Sequence, residues 1–309
     1  MDFYKIREQR NRNGVLEIFP DFCTKNSKDL MIRGKSFYAV WNKHTNLWST
    51  DEYDIQQLID EELYEYAEEK QRQGHECSVK SMLSFDSGSW VKFKKFLQSM
   101  ADNYKSLNDH ILFSDAEVTR SDYASKTLPY SLSDGRIDSY SEIMDTLYDP
   151  EDRQKLEWAI GSIIKGDSRF IQKFIVLYGE GGSGKSTFLN ILQKVFEGYY
   201  SMFDAKALVG SNNSFATEVF KNNPLVAIQH DGDLSKIEDN TKLNSIISHE
   251  EMTMNEKYKP QYTARTNCFL FMGTNSPVKI TNAYSGIIRR LIDVRPSGRL
   301  IEPKRYDLL

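Results

Sequence analysis

Residues Phe174 to Tyr178 form a short run of apolar and aromatic side chains, and Gly179, Glu180, Gly181, Gly182, Ser183, Gly184, Lys185 and Ser186 follow without a break. The run has the length and composition of a buried strand. The eight residues after it satisfy G-x-x-x-x-G-K-[ST], the phosphate-binding P-loop. Glycines are needed there because the backbone must turn sharply and bring its amide N–H groups against phosphate oxygens, where a side chain would collide. Lys185 is placed to reach the β- and γ-phosphates and the Ser186 hydroxyl to ligate Mg²⁺. A helix opening at Lys185, with Thr187 in its first turn, offers the positive end of its dipole to the anion. Phe188, Leu189, Ile191, Leu192, Val195 and Phe196 continue at helical spacing. Chance produces the pattern in roughly 1% of chains of this length, so residues 179–187 predict a nucleoside triphosphate site with Mg²⁺.

The rest of the chain fits that element into an α/β domain. Pro224 to Gln229, Asn267 to Gly273 and Leu291 to Val294 read as further buried strands, with helices over 151–165 and 241–248. Strands alternating with helices around a P-loop imply a central parallel sheet covered on both faces. Ahead of it, Ser36 to Trp41 and Leu47 to Trp48 predict a β-hairpin, with Trp41 and Trp48 in a core. Two amphipathic helices follow, one carrying Ile55, Leu58, Ile59 and Leu63, the other Phe93, Phe96, Leu97 and Met100. Ser133, Asp134, Gly135, Asp149 and Pro150 mark a boundary. The expectation is a smaller, mixed, mostly helical accessory domain over 1–145 and the P-loop domain over 146–309.

A chain of 309 residues, 39% hydrophobic and 27% charged, has ordinary globular composition. It contains no run long enough to span a membrane and no signal-peptide core, so a cytoplasmic protein without a membrane partner is expected. Cys23, Cys77 and Cys268 are widely separated and predict reduced thiols rather than a disulfide or zinc framework. A formal net charge of −4 excludes a surface coated for duplex DNA, although local basic residues can still hold a single strand.

A P-loop hydrolyses nothing alone, because Mg²⁺ must be held from the far side and a water polarised. The strand ending at Gln229 runs into His230, Asp231, Gly232 and Asp233. Asp231 is the first candidate for the acid and metal ligand, Asp233 the second, and His230 either orients water or caps the strand. Thr274 and Asn275 end the next strand, where Asn275 can bridge a γ-phosphate and the attacking water. Arg289 and Arg290 lie between apolar runs; Arg290 is expected to reach a neighbouring subunit's phosphate and Arg289 to serve as an internal partner. Between Met252 and Tyr262 two strand-like stretches flank Lys257, Tyr258, Lys259 and Pro260. Lysines and tyrosines interleaved on a hairpin suit a single strand, and an exposed β-turn has the same pattern.

In this order and compactness the segment from about 150 to 298 resembles the superfamily 3 helicases, the helicase part of phage and virus primase-helicases. The resemblance implies an AAA+ domain that binds ATP and Mg²⁺, assembles as a homo-hexamer and draws single-stranded DNA through its centre in replication in the host cytoplasm. It implies Lys185 and Ser186 for Walker A, Asp231 for Walker B, Asn275 for sensor 1, Lys257 and Lys259, with Tyr258, for a pore hairpin, and Arg290 for the finger. Three departures stand against the family pattern. The acidic strand ends in His-Asp-Gly-Asp rather than adjacent acids; no primase segment precedes the helicase-like part, so priming falls to a separate primase or other replication protein; and few residues follow the arginines, as in a truncated chain. A P-loop kinase would share the Mg²⁺ logic but need an acceptor site and lid, and a nucleotide-gated replication scaffold or loader would need little turnover.

Overall fold

The computed structural model describes residues 1–23, 26–107, 110–210, 215–221, 223–255, 261–278 and 286–299. The chain divides into two compact units, Met1–Asn108 with Ala116–Lys126, and Asp109–Asp115 with Thr127–Leu309. The division falls earlier in the chain than the turn-rich stretch before Pro150. Leu128, Ile143, Met144 and Leu147 explain why, since all four are buried in a core of the second unit.

The first unit holds two small sheets. In one, β1 (Tyr4–Arg10) pairs antiparallel with β2 (Leu16–Phe22), which pairs in parallel with β6 (Cys77–Val79). In the other, β3 (Leu30–Arg33), β4 (Ser36–Asn42) and β5 (Leu47–Ser49) run antiparallel, and Trp41 faces Trp48. Both tryptophans are buried and meet edge to face, ring centroids 5.7 Å apart. Helices α1 (Glu52–Arg72) and α2 (Ser89–Ser99) supply Ile55, Leu58, Ile59, Leu63, Phe93 and Leu97 to the core. The unit is thus mixed rather than mostly helical. Its first strand escapes a pattern reading because β1 is an edge strand whose outer residues are charged. Asp60 joins α1 to the segment after β6: its buried carboxylate accepts from Ser81 Oγ at 2.6 Å and from the N–H groups of Met82 and Leu83 at 2.5 and 3.1 Å.

The second unit begins with α3 (Asp138–Leu147), α4 (Pro150–Lys165) and α5 (Ser168–Ile171). Proline in the first turn of α4 and Gly166 at its end, at φ 77°, set its limits. The chain then builds β7 (Phe174–Tyr178), α6 (Lys185–Val195), β8 (Tyr200–Met202), α7 (Ala205–Val209), β9 (Val226–Gln229), α8 (Thr241–Ile247), β10 (Glu251–Met254), β11 (Tyr262–Arg265), β12 (Phe269–Thr274), α9 (Ile287–Arg290) and β13 (Leu291–Val294). Five of these strands form one all-parallel sheet in the order β13-β7-β12-β9-β8, an α/β fold.

Strand alternation divides the side chains of this sheet between two cores. Ile175 and Leu177 of β7 and Phe269 and Phe271 of β12 join the core formed with α3, α4 and α6. Phe174 and Val176, with Leu270 and Met272, join the one formed with α7, α8 and Met254 of β10. Phe188, Leu189 and Leu192 of α6 are fully buried, each contributing about 1.5–3 kcal/mol of hydrophobic stabilisation. The α6 helix is therefore fixed directly behind the loop that precedes it. Strands β10 and β11 form a separate antiparallel hairpin, from Glu251 opposite Arg265 to Met254 opposite Tyr262.

Candidate functional site

The loop leaving β7 is tied down before it turns: Gly179 N–H donates to Thr274 O of β12 at 3.2 Å. Gly182 and Gly184 then adopt φ of 78° and 96°, which a side chain resists. Gly184 is required for a second reason, since a Cβ there would lie 2.6 Å from Leu147 Cδ2 at the end of α3. The helix α6 starts at the next residue, so its first amides face the concavity of the loop.

Lys185 lies within that concavity, 7% exposed. Its ammonium donates to Gly179 O at 2.6 Å, Glu180 O at 2.8 Å and Asn275 Oδ1 at 2.8 Å. Burial pushes its pKa below the ordinary lysine value, opposed by the nearby Asp231 carboxylate. The Ser186 side chain is exposed at the helix start. The structure therefore brings together Lys185, Ser186, Asn275 and Asp231 at the carboxyl ends of three strands, where ligands of open parallel sheets bind.

Two glycines that the sequence reading passed over make this convergence possible. A Cβ on Gly273, in β12, would lie 2.5 Å from His230 O, and one on Gly232 would lie 2.3 Å from Met272 Sδ. Without either side chain, the end of β9 folds tightly onto β12, and Gly232 N–H donates to Gly273 O at 2.7 Å. For Gly273 the signal was present in the sequence: glycine inside an otherwise buried strand marks close approach of another backbone.

The two candidate acids differ in use. Both are exposed; the Asp233 carboxylate accepts the Ser235 N–H at 2.8 Å in a local turn, and Asp231 is the one whose charge acts on Lys185. His230 is drawn toward α6, where the Gln193 amide donates to its Nε2 at 3.1 Å. An exposed hydroxyl and carboxylate form the all-oxygen set that Mg²⁺ takes, completed in general by waters and phosphate oxygens. Ser186 and Asp231 are the residues that would hold the ion, and they fit it.

The arginine pair sits at the other end of the sheet. Leu291 pairs with Phe174 in a parallel register, so α9 lies beside the start of β7, roughly 16 Å of strand away from the P-loop. Arg290, the residue expected to reach a neighbouring subunit, is the buried one of the pair. Arg290 is 6% exposed, its guanidinium donating from Nε and Nη2 to Ser248 Oγ at 3.0 and 2.6 Å and from Nη1 to Gly286 O at 3.0 Å. Burial, together with Arg289 alongside, lowers its pKa. Arg289 is exposed. One helical turn cannot point adjacent side chains the same way, and the apolar contacts of Ile287 decide which goes in. Lys257, Tyr258 and Lys259 lie outside the described residues; the flanking β10 and β11 do form the hairpin expected around them.

A family of unknown function (DUF5906) matches residues 177–290, from the end of β7 through α9. No curated protein matches the chain. Two solved apo structures of the NrS-1 C terminal region are similar over 58% of this chain, with TM-scores of 0.46 and 16% and 17% identity. The chain spans 43% and 42% of those solved chains, less than half of either. Among the described residues no helix is long and apolar enough to cross a membrane, and no group of three or more His, Cys, Asp and Glu is arranged to hold a metal ion.

Proposed function

We propose that the second unit is an ATP-hydrolysing motor of the AAA+ type, working on single-stranded DNA as a homo-hexamer, the superfamily 3 helicase activity of phage or viral replication. The observation that carries this reading is the meeting of Lys185 and Asn275 at 2.8 Å, with Asp231 close by. β12 lies between β7 and β9, so the acid-bearing strand is roughly 10 Å from the P-loop strand. A triphosphate terminus and a water are proposed to lie between these two strand ends, at Lys185 and Asn275.

In this reading the loop amides and Lys185 bind the β- and γ-phosphates, Asn275 orients the water and Asp231 draws on it. Bound Mg²⁺, held through Ser186 and Asp231, supplies charge neutralisation on the phosphates. Arg289 is the residue free to complete a neighbouring copy's site, since its own P-loop is at the far end of the sheet. Site carboxylates at one end and an exposed arginine at the other favour head-to-tail association, which closes into a ring when the rotation permits. The hairpin of β10 and β11 is the element proposed to hold DNA.

The test is ATP hydrolysis by the full chain with and without oligonucleotide. Single-stranded DNA should stimulate turnover several-fold and Lys185→Ala should abolish it. Turnover indifferent to DNA over a range of lengths would remove the helicase reading.

A further inference from the structure

Strand β1 has an open side. It is the outer strand of its sheet, seven residues long, and pairs with β2 in one unbroken register from Tyr4 opposite Phe22 to Arg10 opposite Leu16. Which of its backbone groups face outward follows from the far side of β2. Leu16 N–H donates to Glu76 O and Lys80 N–H to Ile18 O, both at 2.8 Å, so the backbones of Leu16 and Ile18 turn toward β6 and those of Glu17, Phe19 and Asp21 toward β1. The residues opposite these three, Gln9, Arg7 and Lys5, give both N–H and C=O to β2. Tyr4, Ile6, Glu8 and Arg10 therefore present theirs outward, and among the described residues no hydrogen bond reaches those backbone groups.

The side chains decide what can lie along that edge. Lys5, Arg7 and Gln9 are exposed on one face, where Arg7 Nε donates to Asp21 at 3.1 Å. On the other face Glu8 is drawn onto α1, 2.9 Å from Lys70 Nζ and accepting from the Tyr66 hydroxyl at 2.9 Å, while Arg10 is exposed. A second copy is disfavoured. In each antiparallel self-pairing that uses most of the strand, like charges meet: centring on Ile6 sets Lys5 against Arg7, centring on Arg7 sets it against itself, and centring on Glu8 does the same for Glu8. An oligonucleotide would engage the cations and leave the outward N–H and C=O groups unpaired. An extended peptide with carboxylates at alternate positions meets both.

We propose that the free edge of β1 takes an extended acidic segment of another protein as an added strand. Its carboxylates lie over Lys5 and Arg7, and its alternate side chains lie beside Ile6 and Tyr66, both partly buried at the rim of the core. Charge along an edge strand guards it against like edges. It offers no such guard against a strand of opposite charge. This docking role belongs to the first unit and is independent of the nucleotide reading above.

Residue-resolved amide exchange by NMR on the full chain tests it, with a synthetic peptide of about seven residues alternating glutamate and valine as probe. In the free protein the amides of Ile6, Glu8 and Arg10 should exchange faster than those of Lys5, Arg7 and Gln9. Saturating peptide should slow the first three at least about tenfold, and the same peptide with lysine for glutamate should not. Glu8→Pro removes one outward N–H at a position where an edge strand tolerates proline, and it also removes a like charge. Peptide affinity should nevertheless fall at least about tenfold. Lys5→Gln with Arg7→Gln changes only exposed side chains, keeps the fold, and should lower affinity about fivefold. Unprotected edge amides at millimolar peptide, equal affinity for the lysine version, or undiminished binding by the Lys5→Gln, Arg7→Gln protein would overturn the proposal. Protection by single-stranded oligothymidylate in place of the peptide would overturn it too.

Discussion

Lys185 holds three oxygens at once, and a polyphosphate entering the loop must take the ammonium over from the Gly179 and Glu180 carbonyls. Burial holds its pKa below the ordinary 10.5, so between the lowered value and 10.5 the unfolded chain binds more protons than the folded one. Stability should therefore rise with pH across that window, while affinity for ATP falls as the ammonium is lost. Titration calorimetry from neutral to alkaline pH should show the loss of affinity beginning earlier than a free lysine would cause, and Lys185→Met should flatten it. In the proposed reading the Asn275 amide acts where water and γ-phosphate meet, so Asn275→Ala should lower turnover at least about tenfold while leaving ATP affinity within about threefold. At Gly184 two penalties coincide, the positive φ and the contact with Leu147. Gly184→Ala should cost roughly 1–3 kcal/mol in denaturant unfolding from backbone strain, with more from the clash. Leu147→Ala has its own cavity cost, so the clash should show as coupling: Gly184→Ala should cost less in the Leu147→Ala background, where only the strain is left.

At the scale of elements, legibility depended on whether the controlling contact was local. The β7 strand, the P-loop and α6 were readable because one stretch of chain carries the apolar run, the glycines and the helical face together. The convergence of Asn275 and Asp231 was readable only as strand ends. Gly232 and Gly273, which seat those ends against each other, act between strands that are distant in sequence. Helix α3 was hidden by the turn-forming residues on either side of it, yet Leu147 forms the back of the loop. Which arginine is buried was beyond reach, since consecutive residues of one turn differ only in which way the turn faces. For the hairpin, Lys257→Ala with Lys259→Ala should lower strand separation more than basal ATP hydrolysis, and equal loss of both would make it a purely structural element. In the first unit, Asp60→Ala would strand Ser81 Oγ and two amides. It should lower the unfolding midpoint with a cost of about 2–4 kcal/mol.

Taken as a whole, the second unit has its P-loop motif at one end of a parallel sheet and its exposed arginine at the other. In the proposed reading, one copy completes a site by lending its arginine end to another. The claim is tested most directly by mixing Lys185→Ala protein with Arg289→Ala protein in the presence of Mg²⁺, ATP and single-stranded DNA, and measuring phosphate release across mixing ratios. Each variant alone should be nearly inactive. Intermediate mixtures should recover turnover, because an intact P-loop from one copy meets an intact Arg289 from the next. Mixtures no more active than the sum of their parts at every ratio would contradict the account.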